Sequence, residues 1–133
     1  MDHFSPKLSK AEINNINILA LAHLGDAVYE LMVRSLICSN SRGTVNSVHA
    51  QTVSMANAPF QASAAERIMP ILSDEELDIY RRARNAKVNS APKHCDISEY
   101  HKATGLEALF GYLFLLSEKD RLNELFGIIA GES

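Results

Sequence analysis

Hydrophobic residues along this chain recur at helical spacing, and no stretch shows the strict alternation of a half-buried strand. "SKAE" at residues 9 to 12 has the S-x-x-E form of a capping box, so a helix is predicted to begin after Ser9. Its apolar positions continue through Ile13, Ile16 and Leu19, while Asn14, Asn15 and Asn17 predict a break near residue 15. The strongest periodic stretch predicts a helix over about residues 16 to 38, closed by the turn formers of "SNSRGT". Thr44 is placed to cap the next helix, up to about Ala56. Pro59 suits the first turn of a short helix ending near Pro70. A second S-x-x-E signal, "SDEE" at residues 73 to 76, opens a helix that runs through Leu77 and Tyr80 into three arginines. After the loop "NAKVNSAPKHCD", Ser98 is predicted to start a long helix through Leu116. "SEKD" then opens a last one, from residue 117 to about Ala130. The expected fold class is all-α.

Two of these helices carry acids that core packing does not call for. In "LALAHLGDAVYELMVRSLI", residues 19 to 37, Asp26 and Glu30 stand four apart, one helical turn, so both carboxylates point the same way. Like charges at that spacing destabilise a helix by roughly 0.2–0.5 kcal/mol. Glu30 precedes Arg34 by four, the favourable orientation for an ion pair, which accounts for Glu30 and leaves Asp26 unexplained. Gly25 lies beside this row, where a glycine costs about 1 kcal/mol relative to alanine; its use there is close approach by another backbone.

The second such helix contains "ATGLEALFGYLFLL", residues 103 to 116. Leu106, Leu109, Phe110, Leu113 and Phe114 make a core stripe, whereas Thr104, Glu107, Ala108 and Gly111 set small residues around one carboxylate. Two helices meeting through their small residues would bring Asp26, Glu30 and Glu107 together. Three acids that close repel one another unless protons or a cation intervene. Oxygen-rich groups of this kind suit Mg²⁺, which binds one or two carboxylates and keeps several of its waters.

Composition adds bounds. A chain of 133 residues, 47% of them hydrophobic, is expected to form one domain with a single core. "MDHFSPKLSK" lacks the apolar run of a signal peptide, and no apolar stretch approaches the roughly 20 residues of a membrane span. Cys38 and Cys95 form no CxxC pair, so a reduced, cytoplasmic setting with no membrane partner is expected. Net charge is −3, yet residues 81 to 93 hold Arg81, Arg82, Arg84, Lys87 and Lys93 and no acid. That segment is +5 and the rest of the chain −8, which predicts a basic rim on an acidic body; a merely solvated basic loop is the alternative.

Other chemistry is less well supported. His94, Cys95 and Asp96 are neighbours on a loop and do not converge on one reacting atom, and no second metal-spaced pair accompanies them. His23, three residues before Asp26, could reach that carboxylate or simply pack. Met32, Met55 and Met69 read as core filler. A glycine-rich phosphate loop is absent, which argues against nucleoside-triphosphate chemistry.

"HLGDAVYE" followed by "ATGLEALFGYLFL" resembles the catalytic domain of the ribonuclease III family, whose signature has the form E-x-x-E-F-L-G-D-A-V-L-E. "RRARNAK" and "TGLEALFGYL" are closer still to its short subfamily, Mini-ribonuclease III, which lacks a separate domain for binding double-stranded RNA. The resemblance spans about residues 16 to 130 and implies that residues 1 to 133 form one domain of the ribonuclease III catalytic fold, a helical bundle that forms a homodimer.

By this resemblance Asp26, Glu107 and Glu30 are the catalytic candidates. Asp26 and Glu107 would hold Mg²⁺, with Mn²⁺ as a substitute, and Glu30 would steady the local network. Two positions depart from the family pattern: Ala22 stands where a glutamate is expected, and Thr104 where an aspartate is expected, although Thr104 could hold a water in its place. His23 would be a further supporting residue.

The implied activity is Mg²⁺-dependent cleavage of double-stranded RNA, giving 5′-phosphate and 3′-hydroxyl ends. The implied substrate is the 23S ribosomal RNA precursor in its ribosomal particle. Arg81, Arg82, Arg84, Lys87 and Lys93 would contact its phosphates, with Lys102 or His101 as additions. The alternatives are a non-catalytic RNA-binding module, to which Ala22 and Thr104 lend weight, and a helical dimerisation module with its acids merely exposed.

Overall fold

Capping chemistry sets most of the helix boundaries. The computed structural model describes residues 1–87 and 96–132. Among them run α1 (Lys10–Asn14), α2 (Ile18–Asn40), α3 (Val45–Met55), α4 (Ala58–Ile68), a 3₁₀ turn (Met69–Ile71), α5 (Asp74–Arg84), α6 (Ile97–Leu115) and α7 (Lys119–Ile129), with no strand. Both S-x-x-E signals form complete capping boxes, Ser9 with Glu12 and Ser73 with Glu76. The break among the asparagines is an N-cap: the Asn17 side chain accepts hydrogen bonds from the backbone of Leu19 and Ala20, which starts α2 afresh. Thr44 and Asn57 do the same for α3 and α4.

Two predicted starts are wrong. Asp96, not Ser98, caps α6, its carboxylate accepting from the backbone of Ser98 and Glu99. An aspartate two residues earlier offers the charged acceptor that a helix N-terminus favours. Nor does Ser117 open α7. It closes α6 in the left-handed region, at φ 63°, while the Glu118 N–H bonds back to Leu113 O. That is a Schellman ending with serine where glycine is usual.

Helix α6 is the centre of the molecule, with α2, α4, α5 and α7 packed around it. From Ala103 to Leu113 every residue is buried except Glu107. A helix that is apolar all round belongs in an interior, and the other helices supply the amphipathic shell. Of the expected core stripe, Leu106, Leu109, Phe110 and Leu113 are buried and Phe114 is half-buried. Met32, Met55 and Met69 lie at the core's edge rather than within it. Tyr29 fills the space between α2, α6 and α7, its ring edge-on to Phe110 and Phe126 at 5.5 and 6.1 Å. Its hydroxyl donates to Met55 O at 2.7 Å, which ties α3 to the bundle. The Arg121 guanidinium fastens α7 to α5 through both oxygens of Glu76, at 2.8 and 2.9 Å.

Candidate active site

The crossing of α2 over α6 determines what stands beside what. A Cβ built on Gly25 would lie 1.5 Å from Glu107 O and 2.8 Å from Gly111 N, and one on Gly111 would lie 2.3 Å from Leu21 O. These helices therefore touch backbone to backbone over a full turn, an approach only glycine permits. Asp26 follows Gly25 directly, so the same contact brings its carboxylate near enough to the Glu107 side chain for the two acids to influence each other's ionisation. Asp26 is exposed and Glu107 half-buried.

Burial pushes the Glu107 carboxyl up to about 8; the charge of Asp26 acts in the same direction, and the Gln61 amide acts against both. With nothing positive between the two, Glu107 keeps a proton at neutral pH.

The third acid is elsewhere. Glu30 pairs with Arg34 at 3.4 Å, the i,i+4 ion pair that its spacing allowed. Among the described residues no three His, Cys, Asp or Glu side chains form a group spaced to hold a metal ion. Of the expected gathering of Asp26, Glu30 and Glu107, the structure couples Asp26 with Glu107, while Glu30 pairs with Arg34. Ala22 is 5% exposed and belongs to the hydrophobic core. Thr104 is also buried, and its hydroxyl donates to Tyr100 O one turn earlier in α6. His23 is exposed on α2.

Two carboxylates, one of them held protonated by its burial and its neighbour, fit a divalent cation. Mg²⁺ commonly takes only one or two protein carboxylates, with water and substrate phosphate completing the shell.

Sequence reading did not single out Gln61. It is 6% exposed and begins the buried row Gln61, Ala64, Ala65, Ile68 of α4. An amide at the head of an otherwise apolar i, i+3, i+4, i+7 row was the available signal.

The arginines end α5. Arg81 and Lys87 are exposed. Arg82 meets Asp78 at 3.7 Å, and Arg84 lies over the Tyr80 ring at 5.6 Å while its Nε donates to Asn85. Lys93 lies outside the described residues, as do His94 and Cys95. Lys102 is held by Glu66 at 2.6 Å, and Nδ1 of the half-buried His101 finds no hydrogen-bond partner among the described residues. An apolar groove of about 520 Å³ runs between α2 and α7, lined by Leu24, Leu31, Met32, Phe114 and Leu122. No described helix is long and apolar enough to cross a membrane.

The class of protein follows. A family model described as the ribonuclease III domain matches residues 19–118, and the chain belongs to the ribonuclease III family. Its curated relatives sharpen this. The chain is 37% identical to the Mini-ribonuclease 3 of Clostridium tetani over 124 residues, 92% of this chain and 82% of that protein. It is 43% identical to the Mini-ribonuclease 3 of a Thermoanaerobacter species over 118 residues, 89% and 83% of the two chains. A crystal structure of a Fusobacterium nucleatum protein, 29% identical, matches with a TM-score of 0.82 over 90% of this chain and 96% of that one. The chain is accordingly an endoribonuclease acting on double-stranded RNA. Its family works as dimers and depends in general on divalent metal ions.

Proposed function

We propose that this protein is a Mg²⁺-dependent endoribonuclease in which Asp26 and Glu107 of each protomer hold the cation. It would cut both strands of an RNA duplex as one ribonuclease III-like domain per chain, paired in a homodimer. The observation that carries the reading is the nearness of the Asp26 and Glu107 carboxyls, brought about by a glycine-against-backbone crossing. Two acids so placed destabilise the protein unless a positive charge joins them. Mn²⁺ would substitute, being another oxygen-seeking divalent ion.

The reaction is hydrolysis of a phosphodiester. The oxygen of water joins phosphorus, the bond to the 3′-oxygen breaks, and the products carry 5′-phosphate and 3′-hydroxyl ends. A bound divalent ion supplies an acidified water and neutralises charge developing on the phosphate. Glu107, seated between helices, gives a fixed ligand, and exposed Asp26 gives one that the RNA backbone can approach. Glu30, by its pairing with Arg34, steadies the turn of α2 that carries Asp26. Thr104 keeps its oxygen lone pairs while donating to Tyr100 O, so it could still order a water where the family has a carboxylate.

Arg81, Arg82, Arg84, Lys87 and Lys93 form the phosphate contact, and the apolar groove beside α2 is where the second protomer packs. Resemblance to the short subfamily points to the 23S ribosomal RNA precursor, in the cytoplasm and on the ribosomal particle, as the substrate.

Incubating the protein with a perfect RNA duplex in Mg²⁺ and in EDTA tests the reading. Cleavage in Mg²⁺ that EDTA abolishes and Asp26→Asn removes is the expected result. Binding without cleavage at any protein concentration would mean a non-catalytic RNA-binding module.

A further inference from the structure

The segment before α1 is short, yet it is fixed at three places. Leu8 donates its N–H to Leu115 O at 2.8 Å, and Pro6 is buried. The Asp2 carboxylate accepts from the backbone of Phe4 and Ser5 at 3.0 and 3.2 Å, an Asx turn that gives the chain a defined bend. What these contacts hold in place is an aromatic ring in water, for Phe4 is 82% exposed. Eight large apolar residues are exposed among the described residues, and of these only Phe4 and Leu31 line the apolar groove between α2 and α7. Burying a phenyl ring is among the largest gains one side chain offers. A ring fixed on the lip of a groove and outside it is therefore a surface awaiting cover.

The patch has what a two-fold contact requires. In such a contact the same surface faces itself, so projection and recess must both belong to it. Phe4 is the projection. The groove of about 520 Å³, lined by Leu24, Met32, Phe114 and Leu122, is the recess. Glu118 and Lys119 stand side by side on its edge, both exposed and of opposite sign. Two copies can meet there without forcing like charges together. An apolar middle with a polar, charge-balanced rim is the make-up of a protein interface, whereas an RNA backbone asks for a basic surface.

We propose that Phe4 anchors the homodimer: the segment before α1 of each protomer reaches across and seats its ring in the α2–α7 groove of the other. This inference rests on the reading of that groove as the place where the second protomer packs. It assigns the hold between protomers to a segment that carries no catalytic candidate. Because Asp2, Pro6 and Leu8 already fix that segment, little further ordering opposes the contact.

The chain has no tryptophan, so Phe4→Trp places a single fluorescent reporter at the proposed contact. At concentrations where sedimentation shows a dimer, its emission is expected at the short wavelengths of a buried indole. Dissociation constants of dye-labelled native chain, Phe4→Ala, Leu31→Asp and Val45→Ala are then measured by sedimentation on dilution from micromolar to picomolar. Phe4→Ala is expected to weaken the dimer at least about 30-fold, the loss that marks an anchoring residue. Val45, 81% exposed and outside the groove, is the control, and Val45→Ala should stay within about twofold of the native value. Leu31→Asp, which puts a charge into the groove, should be monomeric at micromolar concentration. Solvated emission from a Phe4→Trp dimer, or native-like affinity in Phe4→Ala while Leu31→Asp is monomeric, overturns the role of Phe4 and leaves the groove reading intact. A native chain that is monomeric at micromolar concentration, or a Leu31→Asp protein that dimerises like the native one, overturns the groove reading and this inference with it. Should Leu31→Asp not fold, the two Phe4 variants still decide, since they alter a side chain that supports nothing within its own protomer.

Discussion

The glycine-against-backbone crossing makes a prediction in which one substitution has opposite signs at two places. Gly25→Ala puts a methyl group 1.5 Å from Glu107 O and 2.8 Å from Gly111 N. Ordinary contact begins at about 3.4 Å, so α2 and α6 must part locally by roughly 2 Å, and the obstacle is backbone that no side-chain rotation can clear. Overpacking of this kind destabilises by about 1–3 kcal/mol or more, and a backbone clash belongs at the upper end. Alanine's better helix propensity offsets about 1 kcal/mol of that. The expected net loss is about 2 kcal/mol or more.

Catalysis falls by more than stability requires, because the parting occurs between Asp26 and Glu107 themselves. A misplacement of about 1 Å can cost on the order of 100-fold in rate. Gly127→Ala is the control: nothing lies within 4 Å of the added methyl in α7, so only the propensity gain remains, about 0.5–1 kcal/mol of stabilisation. Urea midpoints of the three proteins, with cleavage of a duplex at saturating Mg²⁺, give both quantities. A Gly25→Ala protein within 0.5 kcal/mol of native stability, on the scale of ordinary surface changes, and with native turnover would refute the account of the crossing.

Asp26→Asn is expected to abolish cleavage yet unfold at a higher temperature than the native chain in EDTA, by on the order of 1 kcal/mol, since the repulsion on Glu107 is relieved; calorimetry checks the direction. Burial raises the Glu76 carboxyl, but the hydrogen bonds from Arg121 and Ser73 and the charge of Arg121 outweigh it and leave Glu76 below its ordinary 4.5. Its contribution is therefore complete above about pH 4.5 and is lost as pH falls through the lower folded value. Glu76→Gln should cost about 1–3 kcal/mol at pH 7 and progressively less below pH 4.5 in urea titrations across pH. Ser117→Gly should stabilise by about 0.5–1 kcal/mol in the same assay, because Ser117 sits at φ 63° where α7 uses Gly131 at φ 75° for an equivalent ending. Replacing Arg81, Arg82 and Arg84 with glutamine should weaken duplex binding and flatten its dependence on salt by up to about one phosphate contact per arginine, read from filter binding between 50 and 200 mM salt.

Local chemistry made most of the fold legible. Capping boxes, the asparagine break and the run into arginines mark boundaries through bonds within four residues, and the structure follows them at Ser9, Asn17, Thr44 and Ser73. The two wrong starts, at Ser98 and Ser117, arose where a better acceptor lay nearby and where a serine took a backbone state usual for glycine. The close approach of Gly25 was also legible, because a glycine within an apolar helix needs a reason. Sequence spacing could not tell which acids stay unpaired. Glu30 and Asp26 look alike along the chain, and only the position of Arg34 separates them.

The departures at Ala22 and Thr104 are intelligible from the packing. Ala22 lies one turn before Asp26 on the helix pressed against α6 and is 5% exposed, within the hydrophobic core. Thr104 is likewise buried and satisfied within its own helix. A carboxylate at either place would enter the core unpaired, which is far more destabilising than anything a second cation ligand could restore before the cation arrives. On the proposed assignment, the acids of the site are the two beside the glycine crossing. Stability and chemistry then depend on the same contact: whatever loosens α2 from α6 both weakens the bundle and separates the pair. The contrast between Gly25→Ala and Asp26→Asn exposes this coupling, since the first should lose stability and turnover together while the second should trade one for the other.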